Sequence, residues 1–240
     1  VNKVDCDVIV DFGCADGAML EKIQTLPEVD LIGYDIDEEM LSRAKQRLRE
    51  GTLLTNDWDN ITSRLSQYQR PMVLLSSVIH EVYSYSHPKD VNIFWKKIFS
   101  GHFDTIVIRD MMPSTGSGGK VDINDSDAVR SKADSVMLGK FEEEWGPIDR
   151  DYRNFLHFLL KYRFEKNFDR ELKENYVPVS LETVLKKVPM EYRVVYDDHY
   201  ILPFLKGVVR KDFGIDIKMS THAKLIIEKE SQLIEEGLKD

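Results

Sequence analysis

The stretch Val8-Ile9-Val10-Asp11-Phe12-Gly13-Cys14-Ala15-Asp16-Gly17 restricts the possible folds of this chain more than any other. A β-branched run ends on an acidic residue and enters a glycine-containing turn, and Ala18-Met19-Leu20-Glu21-Lys22-Ile23 then takes up helical spacing. Glycine permits a sharp turn and leaves room for a ligand where a Cβ would otherwise stand. Strand, binding turn and helix together open a parallel α/β unit. Counted from Gly13, the third and sixth places of a dinucleotide fingerprint are Ala15 and Ala18 rather than glycine. That spacing disfavours a nicotinamide dehydrogenase, for which hydride-transfer residues are also lacking.

The alternation continues along the chain. Leu31-Ile32-Gly33-Tyr34 predicts a second strand, and Asp37 caps a helix with Glu38 and Glu39 in its first turn and Leu41, Ala44 and Leu48 on its apolar face. Further strands are expected at Leu53-Leu54, Met72-Val73-Leu74-Leu75 and Phe103 to Ile108, with a helix from Val91 to Phe99. Near-continuous apolar strands alternating with helices predict a mostly parallel, doubly wound sheet, which binds ligands beyond the carboxyl ends of its strands. The alternation stops at Pro113-Ser114-Thr115-Gly116-Ser117-Gly118-Gly119. Residues 113–178 read as a helical insertion, in which Phe155, Phe158, Leu159 and Tyr162 predict an amphipathic helix resting on the body or over the site. Beyond it, Leu181 to Val188 reads as a helix, Tyr192 to Tyr196 and Ala223 to Ile227 as strands, and Phe204 to Phe213 as a short helix. The charged residues from Glu228 to Asp240 read as a helical extension or frayed tail.

A chain of 240 residues, 42% hydrophobic and 31% charged, suits one packed main domain. It contains no run of about 20 apolar residues that would span a membrane, and Val1-Asn2-Lys3-Val4-Asp5 is not a secretory leader. Cys6 and Cys14 lie in or beside the first strand without metal or disulfide spacing, so reduced thiols and a cytoplasmic setting are expected. A formal charge of -9 argues against wholesale capture of a polyanion. The ordinary first residue fits a chain that is part of a larger polypeptide.

Asp11, Gly13 and Gly17 in this order resemble the first motif of the class I S-adenosylmethionine-dependent methyltransferases, with Ala15 as a small substitute for the middle glycine. The resemblance implies a Rossmann-like, doubly wound α/β fold with a mostly parallel seven-stranded sheet and an antiparallel C-terminal strand. One methyltransferase domain would span residues 1–240, with 113–178 as acceptor lid. It also implies S-adenosylmethionine as cofactor. The turn from Gly13 through Ala15 to Gly17 would line its methionine part, with Asp11 near the ammonium. The family places an acidic residue at the end of the second strand to accept from both ribose hydroxyls, and Asp35 in Gly33-Tyr34-Asp35-Ile36-Asp37 suits that role. Asp57 and Trp58 match an adenine-binding pair, although Asp57 also suits a helix cap and Trp58 a core position. Ile36 would cover another adenine face. Ser76 ends the fourth strand, which in the family faces the transferable methyl.

His80 and Glu81 follow Ser76, and with Arg109 they are the catalytic candidates. A zinc-binding His-Glu-x-x-His helix is excluded because Ser84 stands where the second histidine belongs and His87 is off the spacing, so no metal site is expected. His80 suits either a general base or a structural histidine. Arg109 suits either an anionic acceptor or an internal pair with a carboxylate. Lys161, Arg163, Lys166, Arg170 and Lys173 are interleaved with Glu165, Asp169, Glu171 and Glu174, which predicts a solvated helix face rather than a nucleic-acid stripe. A small-molecule acceptor is therefore expected ahead of RNA, and the rival from another class is a non-catalytic methyltransferase-like binding module.

Overall fold

The computed structural model describes residues 5–26 and 28–230. The alternating front part forms β1 (Val8–Phe12), α1 (Ala18–Ile23), β2 (Asp30–Tyr34), α2 (Glu38–Arg47), β3 (Leu53–Thr55), α3 (Trp58–Leu65), β4 (Pro71–Ser76), α4 (Ile79–Tyr85), α5 (Pro88–Phe99) and β5 (Thr105–Asp110). The inserted stretch contributes α6 (Ile123–Lys132), α7 (Ser135–Trp145), α8 (Tyr152–Tyr162) and α9 (Phe168–Glu171). The chain continues through α10 (Leu181–Leu185), β6 (Tyr192–Tyr200), α11 (Pro203–Phe213) and β7 (His222–Lys229).

These strands make one seven-stranded sheet in the order β3-β2-β1-β4-β5-β7-β6. β1 to β5 pair in parallel, whereas β7 runs antiparallel to both β5 and β6. This is the Rossmann-like arrangement expected from the sequence, with the C-terminal strand β7 reversed and placed between β5 and β6. Successive residues of β1 serve opposite faces: Val8 and Val10 join one hydrophobic cluster and Ile9 another. Helices on both faces explain why the parallel strands are apolar throughout rather than alternating.

Several boundaries differ from the sequence expectation. β5 starts at Thr105 but continues through Arg109 and Asp110, because β7 pairs along its whole length, from Thr105 opposite Glu228 to Asp110 opposite Ala223. Glu228 and Lys229 thus belong to a strand rather than to a charged extension, and residues 231–240 of that extension lie outside the described residues. β6 runs on to Tyr200 past an irregularity between Val194 and Tyr196, while α10 stops at Leu185.

The inserted helices have a core of their own. Val129, Leu138, Phe141, Phe155, Phe158 and Leu159 pack with Leu205, Val209 and Phe213, so α11 joins the insert although it lies far beyond residue 178. A large side chain sunk in such a core contributes about 1.5–3 kcal/mol. The expected helix is α8, with Phe155, Phe158 and Leu159 in the core, but its polar face is covered too: every residue from Asn154 to Lys161 is buried, because other inserted segments and α11 pack around the helix. The solvated-face reading holds for Lys166, Arg170 and Lys173 and is corrected at Lys161. Lys161 is fully buried and donates from Nζ to the backbone carbonyls of Glu171 and Glu174, with its ammonium 4.3 Å from the centre of the Tyr176 ring. Burial lowers its pKa to about 8. Lys166 and Lys173 are the exposed lysines of the group.

Candidate active site

All the site residues expected from the sequence cluster at the carboxyl edge of the sheet. The turn after β1 is fixed by Gly13 and Cys14, whose amides both donate to the Tyr34 carbonyl at 2.8 and 3.0 Å. Gly13 has φ +77°, and a Cβ there would meet Val78 Cγ2 at 2.9 Å, so glycine is needed both for its conformation and for its size. Ala15 also lies in the left-handed region, at φ +45°. An alanine there carries about 1–2 kcal/mol of strain that glycine avoids, so the replacement is small in volume but not free of conformational cost.

Asp35, just past β2, offsets that strain. Its Oδ2 accepts from the Ala15 amide at 2.8 Å and its Oδ1 from the Asp37 amide at 2.9 Å. One carboxylate thus ties the glycine turn to the start of α2, and each oxygen keeps a lone pair for another donor. Asp37 caps α2 as expected, accepting from the amides of Glu39 and Met40. Asp11 is 2% exposed, and burial together with the Asp35 carboxylate raises its pKa to about 7.

Toward the β3 edge, Asp57 caps α3 by accepting from the Asp59 amide at 2.9 Å. The Trp58 ring lies among aromatic side chains, 5.4 Å from Phe12 and 5.5 Å from Tyr34, which is the packing alternative for this residue. Ile36 is 81% exposed beside Asp35, an apolar surface at the same edge. Ser76 closes β4 in register with Arg109 of β5. Ser77 follows with φ +59°, its amide bonded to the Arg109 carbonyl.

His80 and Asp110 form the buried centre of the edge between β4 and β5. Asp110 is inaccessible to solvent; its Oδ2 accepts from the Ile79 amide at 2.7 Å and its Oδ1 from the Met111 amide at 2.7 Å. His80 Nδ1 lies 2.6 Å from Asp110 Oδ1, and its Nε2 lies 3.0 Å from Glu174 Oε1 of the insert. Burial disfavours the imidazolium, but hydrogen bonding to Asp110 and Glu174 outweighs it and raises the His80 pKa to about 10. Of the two readings of Arg109, the internal pair with a carboxylate is absent among the described residues. Arg109 Nη1 instead donates to Ser77 Oγ at 2.8 Å, while Asp110 pairs with His80.

This pairing sets a pH dependence. The folded pKa of His80 lies above the ordinary 6.5, so its contribution is complete below pH 6.5 and is lost as pH rises towards about 10. Urea unfolding from pH 6.5 to 10 is expected to show stability declining for this group, with a shallower decline in His80→Gln. Equal slopes for the two proteins would remove the ion-paired imidazolium.

A cavity of about 360 Å³ opens at the same edge. Ser77, His80, Glu81 and Arg109 come from the sheet side, Arg163, Arg170, Glu171, Glu174 and Tyr176 from the insert, and His222 from β7. The sequence reading singled out His80, Glu81 and Arg109 and expected the insert over the site, but it named neither the insert residues that line the cavity nor Ser77 and His222. Glu81 is pushed above the ordinary carboxylate range by burial, partly opposed by the charge of His80. Ligand atoms of His80, Glu81 and Glu174 come within 4.8 Å of one another, which makes them the described residues best placed to hold a metal ion.

Comparison with known proteins gives this geometry a family setting. A family model described as a methyltransferase domain matches residues 10–112, from the glycine turn through β5. Residues 10–112 form a methyltransferase domain. No curated protein matches the chain at the sequence level. Among solved structures, the plantazolicin methyltransferase BamL, in complex with a triazolic desmethylPZN analog and SAH, is 14% identical with a TM-score of 0.51, the match covering 95% of this chain and 78% of that one. A SAM-dependent methyltransferase from Anabaena variabilis is 12% identical with a TM-score of 0.51, covering 92% and 76%. The methyltransferase domain of bacterial CtHen1-C is 14% identical with a TM-score of 0.52, covering 95% and 92%. The whole chain, insert included, shares their fold. No helix among the described residues is long and apolar enough to cross a membrane.

Proposed function

We propose that this methyltransferase moves the methyl group of S-adenosylmethionine to an oxygen or nitrogen of a small molecule held in the cavity between β4, β5 and the insert. The observation that carries the reading is the Asp35 carboxylate bonded to the Ala15 amide of the glycine turn, which joins two cofactor-binding elements into one preorganised surface beside that cavity. The turn from Gly13 to Gly17 would hold the methionine part with Asp11 facing its ammonium, Asp35 the ribose hydroxyls, and Ile36, Asp57 and Trp58 the adenine. Ser76 stands at the strand end facing the methyl.

When bound, S-adenosylmethionine supplies an activated methyl carbon on a positively charged sulfur. The chain then has to align an acceptor lone pair and exclude water, work that needs no covalent intermediate on the protein. Glu81, raised by burial, takes the acceptor's proton. His80, held as an imidazolium between Asp110 and Glu174, positions the insert rather than accepting that proton. Arg109 binds the acceptor, and residues 113–178 close over it as a lid.

Incubating the protein with labelled S-adenosylmethionine and separate metabolite and RNA pools tests this reading. Label is expected in the metabolite pool. Label confined to RNA would establish an RNA-directed enzyme instead, and S-adenosylhomocysteine binding without any transfer would establish a binding module.

A further inference from the structure

The arginines of the cavity lack the partners that buried guanidinium groups ordinarily have. Arg109, at the carboxyl end of β5, donates to the neutral Ser77 hydroxyl. Arg163 follows directly on the buried helix α8, half-buried itself, with its guanidinium 4.4 Å from the centre of the Phe164 ring. Its Nε is shut off from solvent and has no hydrogen-bond partner. Among the described residues neither arginine forms an ion pair with a carboxylate.

The charges also act on each other. Arg163 is lowered by burial, and the positive charge of Arg109 adds to that shift. His222, on the same cavity, is pushed down to about 4 by burial and then by Arg109 and Arg163. The nearby carboxylates are engaged elsewhere: Glu171 accepts from the Tyr176 hydroxyl and Glu174 faces His80, so Glu171 attracts Arg163 only at longer range. A buried donor left unpaired costs about 1–3 kcal/mol, and the arrangement leaves one such donor beside a second cation.

We propose that this cavity selects its acceptor by an oxyanion, a carboxylate or a phosphate of a small molecule, bound between Arg109 and Arg163 with Arg170 at the rim. The proposal rests on the reading of the cavity as the acceptor site. Planar guanidinium forks match both anions with paired hydrogen bonds. A volume of about 360 Å³ lies within the range of small-ligand sites. The anion separates the two positive charges, leaving Glu81 to face the nucleophilic end of the same molecule.

Calorimetry with inorganic phosphate and with malonate, on the protein with and without S-adenosylhomocysteine, tests the proposal before any acceptor is known. Saturable one-site binding of at least one anion is expected, weakened tenfold or more in both Arg109→Gln and Arg163→Gln. Phosphate alone would mark a phosphoryl acceptor and malonate alone a carboxylate. Neither anion binding, or binding unchanged in the two variants, would overturn the proposal. The affinity for S-adenosylhomocysteine is expected to be the same in all three proteins, which also reports their folding. Loss of that affinity in the parent protein would strike the methyl-transfer reading, while the anion titration would still decide this one.

Discussion

Asp35→Ala is expected to weaken S-adenosylhomocysteine binding on the order of 100-fold, about 2.7 kcal/mol, in a calorimetric titration. Two effects combine. The first is loss of the carboxylate that would accept from the ribose hydroxyls, each hydrogen bond to a charged group contributing about 1.5–3 kcal/mol. The second is release of the Ala15 and Asp37 amides, which Asp35 holds at 2.8 and 2.9 Å. Ala15 stands at φ +45°, so the turn without that anchor has reason to relax out of the left-handed region. Asp35→Asn separates the two effects: one carbonyl oxygen remains to hold one amide, but the second acceptor and the charge are gone. Its affinity should fall between those of the parent and Asp35→Ala. An affinity in Asp35→Ala within twofold of the parent would refute the ribose assignment.

The residues proposed to hold the cofactor could be picked out in the sequence because they follow strand ends at spacings that the βα repeat enforces. Asp11, Asp35 and Asp57 each come directly at or after an apolar run, and the structure places them along the carboxyl edge of neighbouring strands. The acceptor side was much less readable. His80 meets Glu174 across a long stretch of intervening chain, and nothing in the local pattern of either residue indicates the other. Lys161 sits among charges at helical spacing that read as a solvated face, yet its partners are backbone carbonyls of Glu171 and Glu174, which carry no sequence signal. The buried face of α8 was visible in Phe155, Phe158 and Leu159. The rest of its burial was not, because it depends on how the insert folds around it and on α11, which comes after β6.

Asp110 shows the same limit and leads to the largest expected effect on stability. As a charge at the end of an apolar strand it clearly needed a partner, and Arg109 beside it was the obvious one. The backbone decides otherwise: adjacent strand residues point to opposite faces, so Arg109 and Asp110 cannot share an environment. Asp110 turns inward, where it accepts from the amides of Ile79 and Met111 and from His80 Nδ1. Asp110→Ala strands a buried imidazolium and those amides together, so a loss of about 3–5 kcal/mol is expected. In a chain of this size that is about 10 °C or more of melting temperature. Asp110→Asn keeps acceptor capacity for an amide and should cost less. In the double variant Asp110→Ala/His80→Gln the imidazolium that Asp110 balances is removed as well, so the combined loss should be smaller than the sum of the single losses. Strict additivity would mean that the two side chains are not coupled and that Asp110 stabilises the fold through the Ile79 and Met111 amides alone.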